Sequence, residues 1–411
     1  MLFFLFFQEP TPPLTLDSAL REALRSHPRV EALRHELAAR LQAVKGARVL
    51  KAPNILLSPG LTSFSGTTEE LLALQPLEVN GTRSARTALA LAELHGAQAE
   101  AHSSLLALSH EVQNAVVALE QARAHQKLIE AQMSDSKTLE GLAKKQVELG
   151  TRPGIDLETL ALETLRVENL LTQARSAVKS AETSLSLLLG RPGGSALPVL
   201  APLTLPPPPR PMEALLASAL SLRSEPQRAA AEREGLQAQQ KLLQAEGKPD
   251  LSPMVRVGSL FRGTPPGSTG NGAGIGVALS LPLDHGSRRA QQAGLKERLE
   301  AQNSRREAIS RQIEHEVREA AEKLTVAQVI LARYETEAHP RAERLLRASK
   351  IGFEEGKTSV LAVIEAQRTH RLIQSETLQA RYDVLRAAAT LDKACGLSPL
   401  SLPFPLPEVY P

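Results

Sequence analysis

The chain has 411 residues, of which 42% are apolar and 3% aromatic, and its 48 Lys and Arg residues against 45 Asp and Glu residues give a net charge of +3. The charges are spread along the chain instead of forming a basic block, which argues against a nucleic-acid partner. A single cysteine, Cys395, excludes an intramolecular disulfide and a CxxC metal or redox site. With no Trp and three Tyr, the composition favours a long helical protein over a compact globular core.

The N-terminal residues are apolar and precede Gln-Glu-Pro. We predict that residues 1–12 are the end of an export signal, although the stretch is shorter than a complete apolar signal segment and no Lys or Arg precedes it. A disordered apolar terminus is the alternative. No other stretch approaches the ~18 to 20 consecutive apolar residues that a membrane helix requires. A membrane-spanning part of this chain would therefore consist of strands.

The chain contains an internal duplication. The stretch Gly150-Thr-Arg-Pro-Gly-Ile-Asp-Leu aligns with Gly356-Lys-Thr-Ser-Val-Leu-Ala-Val, and the Ala- and Leu-rich stretch after each one ends at Gly190 or Gly396. The offset is the same at both ends, 356 − 150 and 396 − 190. Self-similarity over such a long period indicates a repeat architecture.

The two repeats are joined by a proline-rich segment over residues 191–212. Each proline removes a backbone donor and clashes with the preceding helical turn, so this segment is predicted to be a stiff, polyproline-like linker. It divides the chain into a first repeat over residues 13–190 and a second repeat over residues 213–396. Residues 397–411 form a Pro-rich tail.

Each repeat is predicted to form a helix, two strands, a very long helix, a tip and another long helix. Residues 86–147 contain no proline, and residues 290–353 contain only Pro340, so both segments are predicted to be long helices of roughly 90 Å at ~1.5 Å per residue. Apolar and small residues recur at the 3-4 spacing of coiled-coil packing, as in Leu105, Leu108, Val112, Ala115, Leu119 and Ala122. Pro340 is predicted to kink its helix or to mark a non-helical notch.

The strands are predicted from period-two alternation. Residues 251–262 and 274–281 alternate apolar with polar or small side chains, and residues 54–63 and 70–79 form a weaker version of the same pattern. Each run has about the ~9 to 11 residues that a tilted membrane strand needs. A solvent-exposed hairpin is the alternative, but it would leave rows of unpaired edge groups. Since two hairpins cannot close a barrel alone, the pattern predicts that several chains share one.

These features together resemble the TolC-type outer-membrane efflux protein family, from about residue 16 to residue 396. The resemblance rests on Ala-Leu-x-x-His-Pro28, on Ala-Pro53-Asn and Lys-Pro249-Asp before the strands, and on the paired tips at Gly150 and Gly356. It implies a mainly α fold with a small β part. The duplicated long helical hairpins would form a trimeric α-barrel, and the strands of three chains would form a shared twelve-stranded membrane β-barrel.

The resemblance implies a function in export. It predicts a trimeric duct that takes substrates from an inner-membrane transporter and a periplasmic adaptor protein across the periplasm and the outer membrane. Its partners would be two further copies of the chain, the adaptor, the transporter and outer-membrane lipid. It would perform no catalysis and use no cofactor or bound metal. A type I protein-secretion conduit is the alternative within this class, and a soluble periplasmic coiled-coil scaffold or adaptor is the alternative from another class.

Two sets of site residues follow from the resemblance. Gly150, Thr151, Gly356 and Thr358 lie at the two tips, where the resemblance implies docking of the adaptor's helical hairpin. A turn without a partner is the alternative.

The second set is a gate at the periplasmic aperture. The resemblance implies that Asp156 takes part in an ion pair that closes the tips. The basic partner would fall at Thr358, so Lys357 and Arg152 are predicted to replace it. Glu365 is predicted to give the aperture a preference for cations. Ordinary solvated tip charges are the alternative.

Overall fold

The computed structural model describes residues 14–58, 70–192, 197–198, 201–258, 272–284 and 286–399. Helices dominate, as the sequence predicted. Those of the first repeat are α1 (Leu16–Ser26), α2 (Pro28–Arg48), α3 (Thr82–Glu148) and α4 (Gly154–Leu188). Those of the second repeat are α5 (Met212–Leu222), α6 (Ser224–Glu246), α7 (Gly286–Arg333), α8 (His339–Glu354) and α9 (Val360–Ala394).

The described residues form two compact units. The helical unit lies within residues 14–32, 103–223 and 311–399, and the sheet unit lies within residues 33–102 and 224–310. Each unit therefore takes segments from both sequence repeats. Within the described residues, no helix is both long enough and apolar enough to cross a membrane.

Local sequence signals set several helix ends. Thr15 begins α1 with a capping box, in which its hydroxyl accepts from the Ser18 backbone N–H at 3.1 Å and the Ser18 hydroxyl accepts from the Thr15 backbone N–H at 3.0 Å. The Ser359 hydroxyl accepts from the Ala362 N–H at 3.3 Å at the start of α9. Such caps satisfy backbone donors that the first helical turn leaves unpaired.

Pro340 changes the helix locally without ending it. The predicted helix over residues 290–353 is present as α7, a π-helical turn at Tyr334–Ala338, and α8. A proline lacks the N–H and clashes with the carbonyl four residues before it, and a π turn absorbs one extra residue at that point. The predicted non-helical notch at Pro340 is absent, since the chain stays helical, with a π turn just before Pro340 and Pro340 in the first turn of α8.

The sheet unit contains one four-stranded antiparallel sheet. Its strands are β1 (Asn54–Ser58), β2 (Glu70–Leu74), β3 (Asp250–Gly258) and β4 (Ala273–Ser280), in the order β1-β2-β3-β4. Strand β2 ends five residues before the predicted end at residue 79, although hydrogen bonds to β3 continue past it, from the Gln75 N–H to the Pro253 carbonyl at 3.0 Å and from the Leu77 N–H to the Leu251 carbonyl at 3.1 Å. The predicted strand residues 59–63 and 259–262 lie outside the described residues.

The register of the sheet separates a wholly apolar face from a mixed one. Val255 lies opposite Ile275 and Leu251 lies opposite Leu279, so apolar side chains meet across the β3–β4 pair. This apolar face consists of Ile55, Leu57, Leu71, Ala73, Leu251, Pro253, Val255, Val257, Ala273, Ile275, Val277 and Leu279. Ile275 is 91% exposed. The opposite face is mixed: it carries Ser, Gly and Ala residues, an ion pair between Arg256 and Glu70, and the apolar side chains of Leu56, Leu72, Leu74 and Met254.

The duplication is also visible in backbone conformation. Gly150 and Gly356 have φ of +71° and +73°, and Gly190 and Gly396 have φ of +72° and +70°. Each glycine follows the end of a long helix, where a left-handed residue lets the chain turn away. The sequence match between the four glycines therefore reflects a shared structural requirement.

The glycines at the tips and the glycines after α4 and α9 are expected to differ in how much an alanine substitution destabilises the protein. A Cβ at Gly396 would lie 2.9 Å from the Arg223 backbone nitrogen, whereas a Cβ at Gly356 would have no atom within 4 Å. Gly356→Ala is therefore expected to cost the ~1 to 2 kcal/mol of a left-handed residue. Gly396→Ala is expected to cost about 1 to 3 kcal/mol more, because the added methyl overpacks a helix junction. The midpoint of thermal unfolding measures both, and equal shifts for the two variants would contradict this account.

Candidate functional site

The candidate site lies in the helical unit, at the turns that close two helical hairpins. The first hairpin consists of α3 and α4 and closes at the first tip, residues 149–153. The second hairpin consists of α8 and α9 and closes at the second tip, residues 355–359.

Both tips have the same backbone hydrogen bonding. The Thr151 N–H donates to the Gln146 carbonyl at 2.9 Å, and the Lys357 N–H donates to the Gly352 carbonyl at 2.8 Å. Each bond spans the left-handed glycine and closes a Schellman motif. The four predicted docking residues thus occupy two equivalent turns.

The threonines at the two tips have structural contacts of their own. The Thr151 hydroxyl donates to the Gln146 carbonyl at 2.8 Å. The Thr358 N–H donates to the Gly352 carbonyl at 2.9 Å, and a Cβ at Gly352 would overlap the Thr358 hydroxyl. Thr358 therefore packs against the end of α8, and Gly352 must stay small to allow this.

Arg152 connects the two tips. Its Nη2 donates to the carbonyls of Phe353 and Thr358 at 3.0 and 3.3 Å. Its Nη1 lies 3.3 Å from Asp156 Oδ2, and its guanidinium carbon lies 3.9 Å from the centroid of the Phe353 ring. The Arg152 side chain is 12% exposed. One side chain thus makes an ion pair, two hydrogen bonds and a cation–π contact.

An apolar cluster beneath the tips holds the two hairpins together. We call it the tip core, and its buried members are Leu139, Ala143, Leu160, Phe353, Val360, Val363 and Ile364. Both hairpins contribute to it. Sequence reasoning missed Phe353, although an aromatic residue three positions before the Gly356 tip was a visible signal in a chain with eight Phe.

The predicted gate residues have different surroundings. Asp156 forms an ion pair with Arg152, which is the second of the two cations predicted as its partner. Lys357, the other predicted cation, lies 2.8 Å from Glu355, and both side chains are exposed. Glu365 is exposed on α9, one turn before Arg368. The structure therefore brings Arg152 and Asp156 together and places Lys357 in a separate pair.

A buried ion cluster beyond the tip core was not anticipated from the sequence. Glu163 on α4 is 5% exposed and accepts from Arg368 Nη2 at 2.8 Å and from Arg371 Nη2, both on α9. We call these three residues the charged layer. Burial acts to raise the pKa of Glu163, but the hydrogen bonds and charges of the two arginines outweigh it and hold that pKa below its usual value.

The position of Glu163 was a usable sequence signal. Leu160, Val167 and Leu171 follow the 3-4 spacing of the buried seam of α4, and Glu163 lies on that seam with Thr164. An acidic residue in a coiled-coil seam needs a partner, because an unpaired buried charge is strongly unfavourable. The sequence could not identify the partner, since Arg368 and Arg371 lie more than 200 positions away.

The surface around the tips is partly apolar. Leu149, Ile155 and Leu361 are exposed beside the two turns. Exposed apolar side chains next to ordered backbone turns suit binding to another protein surface. In the part of the chain that the structure describes, no group of three or more His, Cys, Asp or Glu side chains is arranged to hold a metal ion.

Comparison with known proteins gives a family match and similar folds. The family model described as "Outer membrane efflux protein" matches residues 19–191 and 215–397. A curated relative, the cobalt-zinc-cadmium resistance protein CzcC of Cupriavidus metallidurans, is 27% identical over 404 residues, which cover 95% of this chain and 92% of the relative.

Two solved structures share the fold at low sequence identity. The outer-membrane channel OprN aligns with a TM-score of 0.76 at 18% identity, covering 93% of this chain and 89% of its own. The open state of the Neisseria gonorrhoeae MtrE outer membrane channel aligns with a TM-score of 0.75 at 17% identity, covering 94% and 89%. At 18% and 17% sequence identity, these similarities show a shared fold only.

Proposed function

Since the chain belongs to the outer membrane efflux protein family and is an outer-membrane protein, we propose that three copies form a passive export duct. The duct receives substrate from an inner-membrane transporter through a periplasmic adaptor protein and releases it outside the cell. The observation that carries this proposal is a sheet with one wholly apolar and largely exposed face, in a chain whose helical hairpins end in two equivalent tips.

The sheet supports assembly into a barrel. Strands β1 and β4 are the edges of a four-stranded sheet, and unpaired edges cannot be exposed to lipid. Closing three such sheets into twelve strands pairs every edge. The wholly apolar face then contacts lipid, and the mixed face, with its Ser and Gly residues and the Arg256–Glu70 pair beside Leu and Met side chains, lines the interior.

The tips support docking of an adaptor. Gly150 and Gly356 have no atom within 4 Å of a Cβ position, so the backbone is open to close approach by a partner. Thr151 and Thr358 hold the turns through hydrogen bonds to the preceding helices, and the exposed Leu149 and Leu361 supply apolar contact. A helical hairpin of the adaptor would bind across these turns.

The gate consists of the contacts that hold the tips together. Arg152 and Asp156 close the two tips of one chain, Lys357 adds charge at the rim, and three copies of Glu365 form an acidic ring. An acidic ring favours cations. The relative CzcC is named for resistance to cobalt, zinc and cadmium, whose ions are also cations. We therefore propose divalent metal cations as the exported substrate.

Purification and conductance measurements test the proposal together. The protein is expected to fractionate with the outer membrane, to have the native mass of a trimer in detergent, and to conduct in planar bilayers. Asp156→Ala is expected to raise the resting conductance, and Glu365→Gln is expected to lower the preference for cations. A soluble monomer after removal of residues 1–12 would contradict the duct and favour a coiled-coil scaffold.

A cargo assay separates the transport alternatives. Cells that lack the gene are expected to become sensitive to zinc, cobalt or cadmium and to recover with the intact gene. Loss of a secreted protein with unchanged metal tolerance would favour a type I protein-secretion conduit.

A further inference from the structure

Two histidines lie close together between α8 and α9, the helices of the second hairpin. The ring centroids of His339 and His370 are 5.9 Å apart, and the ring planes make an angle of 33°. A zinc ion bound at ~2.0 to 2.1 Å to one nitrogen of each ring places the two ring centres about 5 to 6 Å apart. The two imidazoles therefore have the spacing of a pair that shares one metal ion.

The Nδ1 atom of His339 is buried and has no hydrogen-bond partner among the residues that the structure describes. Such an atom is unfavourable and requires an explanation in a native structure. The π-helical turn at Tyr334–Ala338 directly precedes this histidine, and turns of this kind are frequent at functional sites. A bound ligand would supply the partner that the ring nitrogen lacks.

The histidine pair is not a requirement of the hairpin fold. The offset of 206 between the repeats places Met133 and Thr164 of the first hairpin at the positions equivalent to His339 and His370, 339 − 133 and 370 − 164. Met133 packs in an apolar cluster of the first hairpin. The same kind of hairpin thus forms without either histidine, so the pair adds a property that packing alone does not need.

A carboxylate lies within reach of the two imidazoles. Glu343 is on α8 four positions after His339, and residues at this spacing are neighbours on a helix. In the described conformation Glu343 pairs with Arg347 at 2.7 Å, and no third His, Cys, Asp or Glu of the described residues completes a set of metal ligands. Because the pair with Arg347 is exposed and therefore weak, the carboxylate can turn toward the imidazoles at low cost.

The imidazole of His370 is in the form that binds a metal ion. Burial lowers the pKa of His370, and the positive charges of His339 and Lys350 act in the same direction. The carboxylates of Glu343 and Asp135 act to raise this pKa but do not outweigh the burial. The ring is therefore neutral at neutral pH, and a neutral imidazole is the form that coordinates a metal.

We propose that His339, His370 and Glu343 form a binding site for a divalent transition-metal cation of the zinc class, with water completing the coordination. Imidazole ligands suit Zn²⁺ and Co²⁺, whereas Mg²⁺ and Ca²⁺ take oxygen ligands. The bound ion would link α8 to α9. This inference goes beyond the proposed duct, because it rests on the histidine pair and not on transport, and it adds a bound metal that the sequence did not predict.

Metal titration of the purified full-length protein in detergent, without a polyhistidine tag, tests the site. Zn²⁺ binding is measured by calorimetry, and Co²⁺ binding by visible absorption, which reports the ligands and the geometry of the ion. Both ions are expected to bind and Mg²⁺ is not. His339→Gln and His370→Gln are each expected to weaken Zn²⁺ binding roughly tenfold or more, since even the loss of a residue that only orients a metal ligand costs about 10- to 100-fold.

His315→Gln is the matched control. His315 lies four positions before Glu319 on α7, with 3.9 Å between Nε2 and Oε2, so this pair has the same spacing along a helix as His339 and Glu343. The His315 side chain is 79% exposed, and its loss is expected to leave the Zn²⁺ affinity unchanged. Equal losses of affinity for His315→Gln and His339→Gln would overturn the proposal.

A variant that should bind more tightly keeps the test decisive if a histidine variant folds poorly. Lys350 Nζ lies 3.5 Å from Asp135 Oδ2, and the charge of Lys350 acts on His370. Lys350→Gln removes a positive charge that repels the ion and frees the Asp135 carboxylate, so it is expected to strengthen Zn²⁺ binding severalfold. An unchanged affinity in a variant with the wild-type thermal unfolding midpoint would contradict the site.

Binding and transport are separate readouts. A wild-type protein that binds Zn²⁺ through the two histidines but conducts no ions in bilayers would contradict the duct and leave the site in place. A conducting wild-type protein that does not bind Zn²⁺, or whose affinity is unchanged by the loss of either histidine, would overturn the site and leave the duct in place.

Discussion

Replacing Val277 by arginine is expected to abolish the recovery of assembled protein from the outer-membrane fraction. Val277 is 65% exposed at the middle of β4, on the apolar face of the sheet and opposite Pro253. In the proposed barrel this face contacts lipid, where an arginine near the bilayer midplane costs about 2 to 4 kcal/mol per chain. Three copies in one assembly multiply the cost. Membrane fractionation and native mass measurement in detergent give the result.

Ala278→Arg is the matched control for this experiment. Ala278 is the next residue of the same strand and lies opposite Ser252, on the mixed face that the proposed barrel turns to its interior. The added charge would be in the hydrated interior, so assembly is expected to remain while the conductance changes. If the two variants assembled equally well, the assignment of the apolar face to lipid would be wrong.

Arg152→Ala is expected to have the largest effect of any single change at the tips. It removes the ion pair with Asp156, two hydrogen bonds to backbone carbonyls and the contact with the Phe353 ring. These contacts are largely buried and connect the two tips. Their loss is therefore expected to destabilise the closed state relative to the open state by about 2 kcal/mol. That corresponds to a roughly thirtyfold rise in the open-to-closed ratio, measured as resting conductance.

Lys357→Ala provides the comparison at the same tip. Lys357 pairs with Glu355 on an exposed surface, and such pairs contribute about 0 to 1 kcal/mol. Its effect on resting conductance is expected to be severalfold at most. A larger effect for Lys357→Ala than for Arg152→Ala would show that contacts between chains, and not those within one chain, control the aperture.

Most local elements followed from the sequence, although each repeat begins with two helices where one was predicted. The helix predicted over residues 86–147 is α3 (Thr82–Glu148), and Pro340 marks a local change in helix type. These predictions succeeded because proline, glycine and the spacing of apolar residues act on the nearest turns of backbone. The predicted end of β2 at residue 79 lies beyond the regular strand, which ends at Leu74, although hydrogen bonds to β3 continue to Leu77.

The internal duplication in the sequence identified the tip residues, but the sequence did not predict which side chains they contact. Asp156 had two candidate cations in the sequence, of which Arg152 is four positions away and Lys357 lies in the other repeat. Within the chain, Arg152 makes the contact because it turns inward over the Phe353 ring, whereas Lys357 turns outward to Glu355. The direction of a long side chain depends on the packing beneath it, which a linear sequence does not specify.

The sequence by itself determined the helices, the strands, the alternation that gives the sheet one apolar face, and the four left-handed glycines that repeat in the two halves. The tertiary structure alone decided that each compact unit draws on both repeats, and that Glu163 on α4 is paired with two arginines of α9. The physical reason is the distance along the chain over which each kind of interaction acts. Backbone conformation and side-chain periodicity are set over a few neighbouring residues, whereas a buried charge is satisfied by partners that chain folding brings from hundreds of positions away.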